Sequence, residues 1–137
     1  MKGFVDNIEK RTEENVNFRE VLYTGANLQL VLMALKPGEE IGEEVRDDHD
    51  QFFRFENGHG EVWIDGVANP VKSDDGVIVP AGARRNVINT GTDVLPMYTI
   101  YGPPEHAEGT VHQTKAEADA ADEHFDGRTT ERAVVAG

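Results

Sequence analysis

Residues 51–56 read Gln-Phe-Phe-Arg-Phe-Glu, and this short stretch restricts the whole chain more than any other. Side chains alternate across a strand, so Gln51, Phe53 and Phe55 share one face while Phe52, Arg54 and Glu56 share the other. A mostly apolar face carrying one amide belongs against a protein interior that contains a polar spot. A second stretch repeats the pattern. After a turn at Ser73-Asp74-Asp75-Gly76 come the apolar run Val77-Ile78-Val79, a Pro80-Ala81-Gly82 turn, and then Arg85, Val87 and Asn89 on one face. Two turn-punctuated strands that each send polar groups inward predict a pocket inside a sheet or barrel.

The remainder of the chain supplies more strands and two short helices. Residues 18–24 and 27–35 read as strands on either side of Gly25-Ala26, rich in β-branched, aromatic and long apolar residues. The second is apolar on both faces, at Leu28, Leu30, Val31, Leu32 and Met33, so a second subunit is expected to cover the face turned away from the core. Asn57-Gly58-His59-Gly60 predicts a hairpin turn, because Asn-Gly tolerates the positive φ of two-residue loops. A strand over 61–65 follows, Asp65-Gly66 closes another turn, and 96–101 is the last strand before Pro103-Pro104 stops sheet pairing. Asp6 with Glu9 predicts an N-terminal helix with a capping box. Thr114 with Glu117 predicts another on the alanine-rich run to His124. Phe125 is expected to anchor that segment, with 126–137 frayed.

At the two polar-faced stretches the chain resembles the cupin superfamily, small antiparallel barrels of the jelly-roll kind. The first family motif runs Gly, five residues, His-x-His, three or four residues, Glu, six residues, Gly; Gly38, Glu44, Arg46, Gln51 and Gly58 fall on that spacing. The second runs Gly, five residues, Pro-x-Gly, two residues, His, three residues, Asn; Asp74, Pro80, Gly82, Arg85 and Asn89 fall on it. The resemblance implies an all-β jelly-roll barrel with short N-terminal and C-terminal helices. It implies a single domain over 1–137, with the barrel at about 18–103 and a helical extension at 104–137.

The family's chemistry does not carry over with its spacing. Metal-bearing members place three imidazoles and a carboxylate at these positions, a set suited to a first-row divalent metal. Here they are Glu44, Arg46, Gln51 and Arg85. A guanidinium has no lone pair to give and its charge repels a cation, so no metal cofactor is expected. The chain is then either a natural branch without a metal or a variant whose ligands have been replaced, and the residues alone leave both open.

Three readings of the arginines compete. In the first, a binding pocket, Arg46 and Arg85 grip a small carboxylate or phosphate, Gln51 and Asn89 add hydrogen bonds, Phe53, Tyr98 or Tyr101 form the wall, and His49 faces in from the same strand as Gln51. The second is an enzyme of the sugar-phosphate isomerase kind or other metallo-cupin chemistry, with Glu44 as base. A carboxylate beside two cations is a weak base, which counts against it. In the third, a purely structural cluster, Glu44 pairs with both arginines, and because one carboxylate cannot neutralise two guanidiniums a second acid, an anion or water must enter. Of the remaining histidines, His59 and His124 read as surface residues, while His106 and His112 lie in a segment that can fold over the barrel mouth.

Composition narrows the partners. A net charge of −13 argues against nucleic acid and anionic membranes. The absence of cysteine removes disulfides and a thiol nucleophile and fits a reducing compartment. No apolar run approaches the ~20 residues that cross a bilayer, and the start Met-Lys-Gly-Phe-Val-Asp lacks a signal-peptide core, so the expected location is cytoplasmic.

Overall fold

The computed structural model describes residues 1–131. Two antiparallel sheets face each other across an apolar core, the jelly-roll arrangement that the resemblance to cupins implied. The elements in chain order are α1 (Ile8–Glu14), β1 (Arg19–Thr24), β2 (Gln29–Leu35), β3 (Glu44–Val45), β4 (Asp50–Phe55), β5 (His59–Ile64), β6 (Val67–Lys72), β7 (Gly76–Val79), β8 (Arg84–Ile88), β9 (Leu95–Gly102), β10 (Val111–His112) and α2 (Lys115–Ala120). One sheet has the order β10-β1-β2-β9-β4-β7 and the other β3-β8-β5-β6.

The period-two reading of β4 holds. Gln51, Phe53 and Phe55 are buried, and the two phenyl rings stack with centroids 6.3 Å apart. They meet Val31, Met33 and Leu35 of β2, Leu95 and Met97 of β9, and Val62 and Val87 from the other sheet. Burying each such side chain contributes about 1.5–3 kcal/mol, so this cluster is the main reason the two sheets stay together.

The turn after Phe55 joins the two sheets and is not a hairpin: β4 pairs with β7 and β9, whereas β5 pairs with β6 and β8. Asn57-Gly58 fixes the local turn, with Gly58 at φ +78°, but where the chain goes next is set by the neighbours it meets. Gly60 of β5 lies so close to the neighbouring β8 that a Cβ would stand 2.7 Å from the Ile88 carbonyl oxygen. The true hairpin is Asp65-Gly66, where both residues have positive φ and β5 returns as β6.

The double-sided apolarity of β2 also has an internal explanation. Val31, Met33 and Leu35 face the core, while Leu30, Leu32 and Ala34 are buried on the opposite face, and α1 packs across β2 and β9. The chain's own helix thereby covers part of the face that the sequence offered to a second subunit, while Leu28 stays exposed. That helix is capped by Asn7, whose side chain accepts from the Lys10 N–H, one residue later than the Asp6 cap expected. Asp6 instead binds the Asn7 N–H and Arg11.

Beyond Gly102 the chain is more ordered than its composition suggested. Val111 and His112 form β10 beside β1, α2 stops at Ala120, and Thr130 and Glu131 bond back to Thr24 and Tyr23. The fraying expected over 126–137 therefore fails for Thr130 and Glu131, and residues 132–137 lie outside those described. Among the described residues no helix is long and apolar enough to cross a membrane.

Candidate functional site

One end of the core is polar, and strand register explains why. Gln29, Tyr101 and Gln51 are directly paired across β2, β9 and β4, so all three side chains enter the barrel at one level. Arg85 enters from the facing sheet, where β3 and β8 bring Glu44 and Arg85 opposite each other. The spacing that placed positions 44, 46, 51 and 85 together is thus realised in space.

Gln51 donates to Thr99 Oγ1 at 2.9 Å and accepts from Arg85 Nε at 3.1 Å. Arg85, buried at 4 % exposure, also donates to the Gly42 carbonyl at 3.0 Å, and its Nη2 lies 3.7 Å from Glu44 Oε2. The same Glu44 oxygen is 2.6 Å from Arg46 Nη2, so both guanidiniums converge on one carboxylate oxygen. The second acid demanded by charge balance is Glu105: its Oε2 stands 2.7 Å from Arg46 Nε. That approach lies off the N–H direction, leaving a close ion pair without an aligned hydrogen bond. Two guanidiniums and two carboxylates make the cluster neutral.

His49 lines the site, but both ring nitrogens already face oxygens, Nδ1 at 2.7 Å from Asp48 and Nε2 at 3.0 Å from the Pro104 carbonyl. Between Arg46, His49, Gln51, Val79, Pro80, Ala83 and Arg85 remains a space of about 10 Å³, roughly one water in size. A larger hollow of about 360 Å³ lies between the end of α1 and the start of α2. Of its charged lining, Lys115 is engaged with Asp119 and Glu39 with the Lys36 N–H, and the rest of its walls are mostly apolar or amide groups.

Two expected pocket residues do other work. Asn89 is spent on a turn: its amide donates to the Leu35 and Asp93 carbonyls and accepts from the Gly91 N–H. Phe53 is fully buried within the core below the polar level. Of the tyrosines, Tyr98 faces outward beside Phe52, whereas Tyr101 lies inside with the rings of His49 and His106 edge-on to it, and burial pushes its phenol above the ordinary range.

The segment bearing His106 and His112 does fold over the mouth, as the sequence allowed, but the sequence missed Gln29, Glu105 and Glu123, which hold it there. Gln29 uses its full bonding capacity: Nε2 donates to Thr24 Oγ1 and the His106 carbonyl, and Oε1 accepts from the Glu105 and His106 N–H groups. Glu123 accepts from His106 Nδ1 at 2.6 Å and from the Ala107 N–H. Burial pushes Glu123 up, but these two bonds outweigh it and hold the carboxyl below the usual range. Arg19 Nη1 donates to His112 Nδ1 at 3.2 Å, and burial followed by the Arg19 charge pushes His112 down. The one available signal was a glutamine heading the apolar run 30–35.

The donor set does not fit a divalent metal. Arg46 and Arg85 offer no lone pair, their charges already pair with the Glu44 carboxylate, and Arg85 Nε donates to Gln51 Oε1, one of the oxygens a metal would need. Among the described residues no three His, Asp or Glu side chains come together as ligands elsewhere.

Comparisons with known proteins agree with the architecture. The pattern of the Cupin domain matches residues 31–101. The uncharacterized protein YrkC of Bacillus subtilis is 45% identical over 128 residues, which cover 89% of this chain and 69% of YrkC. The uncharacterized protein L612 of Acanthamoeba polyphaga mimivirus is 37% identical over 113 residues, 79% of this chain and 70% of L612. The crystal structure of BH2720 from Bacillus halodurans superposes with a TM-score of 0.86 at 44% identity, covering 88% of this chain and 96% of that one. Motif spacing, two facing antiparallel sheets and these matches together make this chain a member of the cupin family.

Proposed function

We propose that the barrel mouth binds a small carboxylate or phosphate between Arg46 and Arg85, without a resident metal. The observation that carries this reading is the convergence of both guanidiniums on Glu44 Oε2, at 2.6 and 3.7 Å. An anionic oxygen is already accommodated between the two forks. Glu44 belongs to a two-residue edge strand and its side chain is 37% exposed, so it can swing out and yield its place. The space it vacates, added to the small gap beside it, suits a ligand of few heavy atoms. Paired guanidiniums favour such anions because each fork can donate two parallel hydrogen bonds.

The net charge of −13 repels anions at long range, so the grip acts at contact distance and added salt speeds capture by screening the repulsion. The test is to titrate acetate, oxalate and inorganic phosphate into the protein and into the Arg46→Gln/Arg85→Gln variant, following binding by calorimetry and folding by thermal denaturation. Binding lost with the fold retained supports the reading; equal affinity in the folded variant overturns it. A second reading, a closed structural cluster, is favoured by its charge neutrality. It requires that none of the three anions bind.

A further inference from the structure

We propose that the segment from Pro103 to Gln113 is a displaceable strap that holds the arginine pocket shut, with Glu105 as a built-in competitor for Arg46. The inference rests on the anion-binding reading and adds its regulation. Glu105 is 8 % exposed and puts its carboxylate 2.7 Å from Arg46 Nε. The strap therefore supplies the kind of group that an external anion would bring, on the same guanidinium. Because Glu105 approaches off the N–H axis, a free carboxylate that aligns with the fork makes a better bond than the one it displaces.

The strap's attachments are of a kind that can open. Among the described residues, none from 103 to 113 belongs to the apolar core cluster. Besides the Arg46–Glu105 ion pair and the His106 ring edge-on to Tyr101, the segment is held by hydrogen bonds: Gln29 to the backbone of Glu105 and His106, His49 to the Pro104 carbonyl, Glu123 to His106 and Ala107, Thr24 to Glu108, Val21 and Phe18 to the Thr110 and Gln113 carbonyls, and the short β10 ladder. Water can replace such bonds, whereas it cannot replace buried apolar area, so segments held this way open locally below the global unfolding free energy. One buried polar atom on the strap, His106 Nε2, has no partner while it is closed, and lifting the strap hydrates it. Opening exposes Arg46 and His49 together, since both contact the strap directly.

The experiment uses the full chain and the Glu105→Gln variant, with oxalate as probe and amide exchange read residue by residue. Removing the competing charge is expected to raise oxalate affinity about tenfold, and to speed exchange of the Glu105 and His106 amides by a similar factor without any ligand. Unchanged exchange at those amides overturns the strap. So does unchanged oxalate affinity in Glu105→Gln, provided that Arg46→Gln/Arg85→Gln abolishes binding, an outcome that leaves the arginine pocket standing. Oxalate binding that survives Arg46→Gln/Arg85→Gln, or none in any variant, removes the pocket reading and the inference with it. Oxalate binding seen in Glu105→Gln and absent in the parent supports the proposal.

Discussion

Arg46 and Glu105 meet at 2.7 Å, and this ion pair, with the contact of His49 Nε2 to the Pro104 carbonyl, ties the segment after β9 to the loop that follows β3. Arg46 is partly exposed, 39% for its side chain, while that of Glu105 is 9% exposed, so the pair bridges solvent and interior. A double-mutant cycle with Arg46→Ala and Glu105→Ala, read by urea denaturation, is expected to give a coupling free energy of about 1 kcal/mol. A coupling indistinguishable from zero would mean that the strap is positioned by its remaining hydrogen bonds without this ion pair.

Gln29 predicts a larger effect. It is fully buried and satisfies two backbone N–H groups and one carbonyl of the strap. Gln29→Leu keeps the volume but strands those groups, and a loss of about 2–4 kcal/mol in unfolding free energy is expected. A loss below about 1 kcal/mol would show that the strap rearranges to bond elsewhere.

The pH dependence follows from His112 and Glu123. Folding holds His112 below its ordinary value through burial and the Arg19 charge, with Glu123, Glu117 and His106 also nearby. The unfolded chain therefore takes up the proton first: the stabilisation is complete above about pH 6.5 and is lost as pH falls toward the lower folded value. Glu123 is also held low, so its contribution is complete above about pH 4.3 and disappears as pH drops through its folded value. Unfolding free energy should be flat near pH 7, decline as pH falls below about 6.5, and decline again below about pH 4.3. His112→Gln should flatten the first decline; an unaltered slope there would refute the assignment.

The metal argument can be run in reverse. Positions 44, 46, 51 and 85 converge, as the shared Glu44 oxygen and the Arg85 to Gln51 bond show. Arg46→His/Arg85→His would present two imidazoles, a carboxylate and an amide, and should bind Zn, Ni, Co, Cu or Fe as a divalent ion. Elemental analysis after metal excess and desalting should give about one equivalent per chain. No retained metal would show that the side chains do not meet at one point.

Sequence alone placed the inward polar residues on the right strands but could not say which of them were free. Asn89 and Arg85 share a face of β8 and its extension, yet Asn89 is consumed by the Leu35 and Asp93 carbonyls while Arg85 reaches the mouth. Alternation reports a face and says nothing of depth, and depth is what separates Phe53 in the core from Gln51 two residues earlier. The Asn57-Gly58 turn was legible as a turn, but its crossing between sheets was not, because φ preferences are local and strand partners are not.

What the sequence by itself determined is the inward faces around Gln51 and Arg85 and the misfit of two guanidiniums to a metal, while the resemblance to the cupin motifs added the jelly-roll barrel and the meeting of positions 44, 46, 51 and 85. The faces and the misfit depend on side-chain period, turn chemistry and lone pairs, which are properties of neighbouring residues and functional groups. Tertiary structure alone decided the rest: α1 covers β2, Glu105 supplies the second carboxylate, and Gln29 fastens the strap. Each joins residues far apart along the chain, and such contacts are chosen by packing and by the need to satisfy buried polar groups, which no local pattern records.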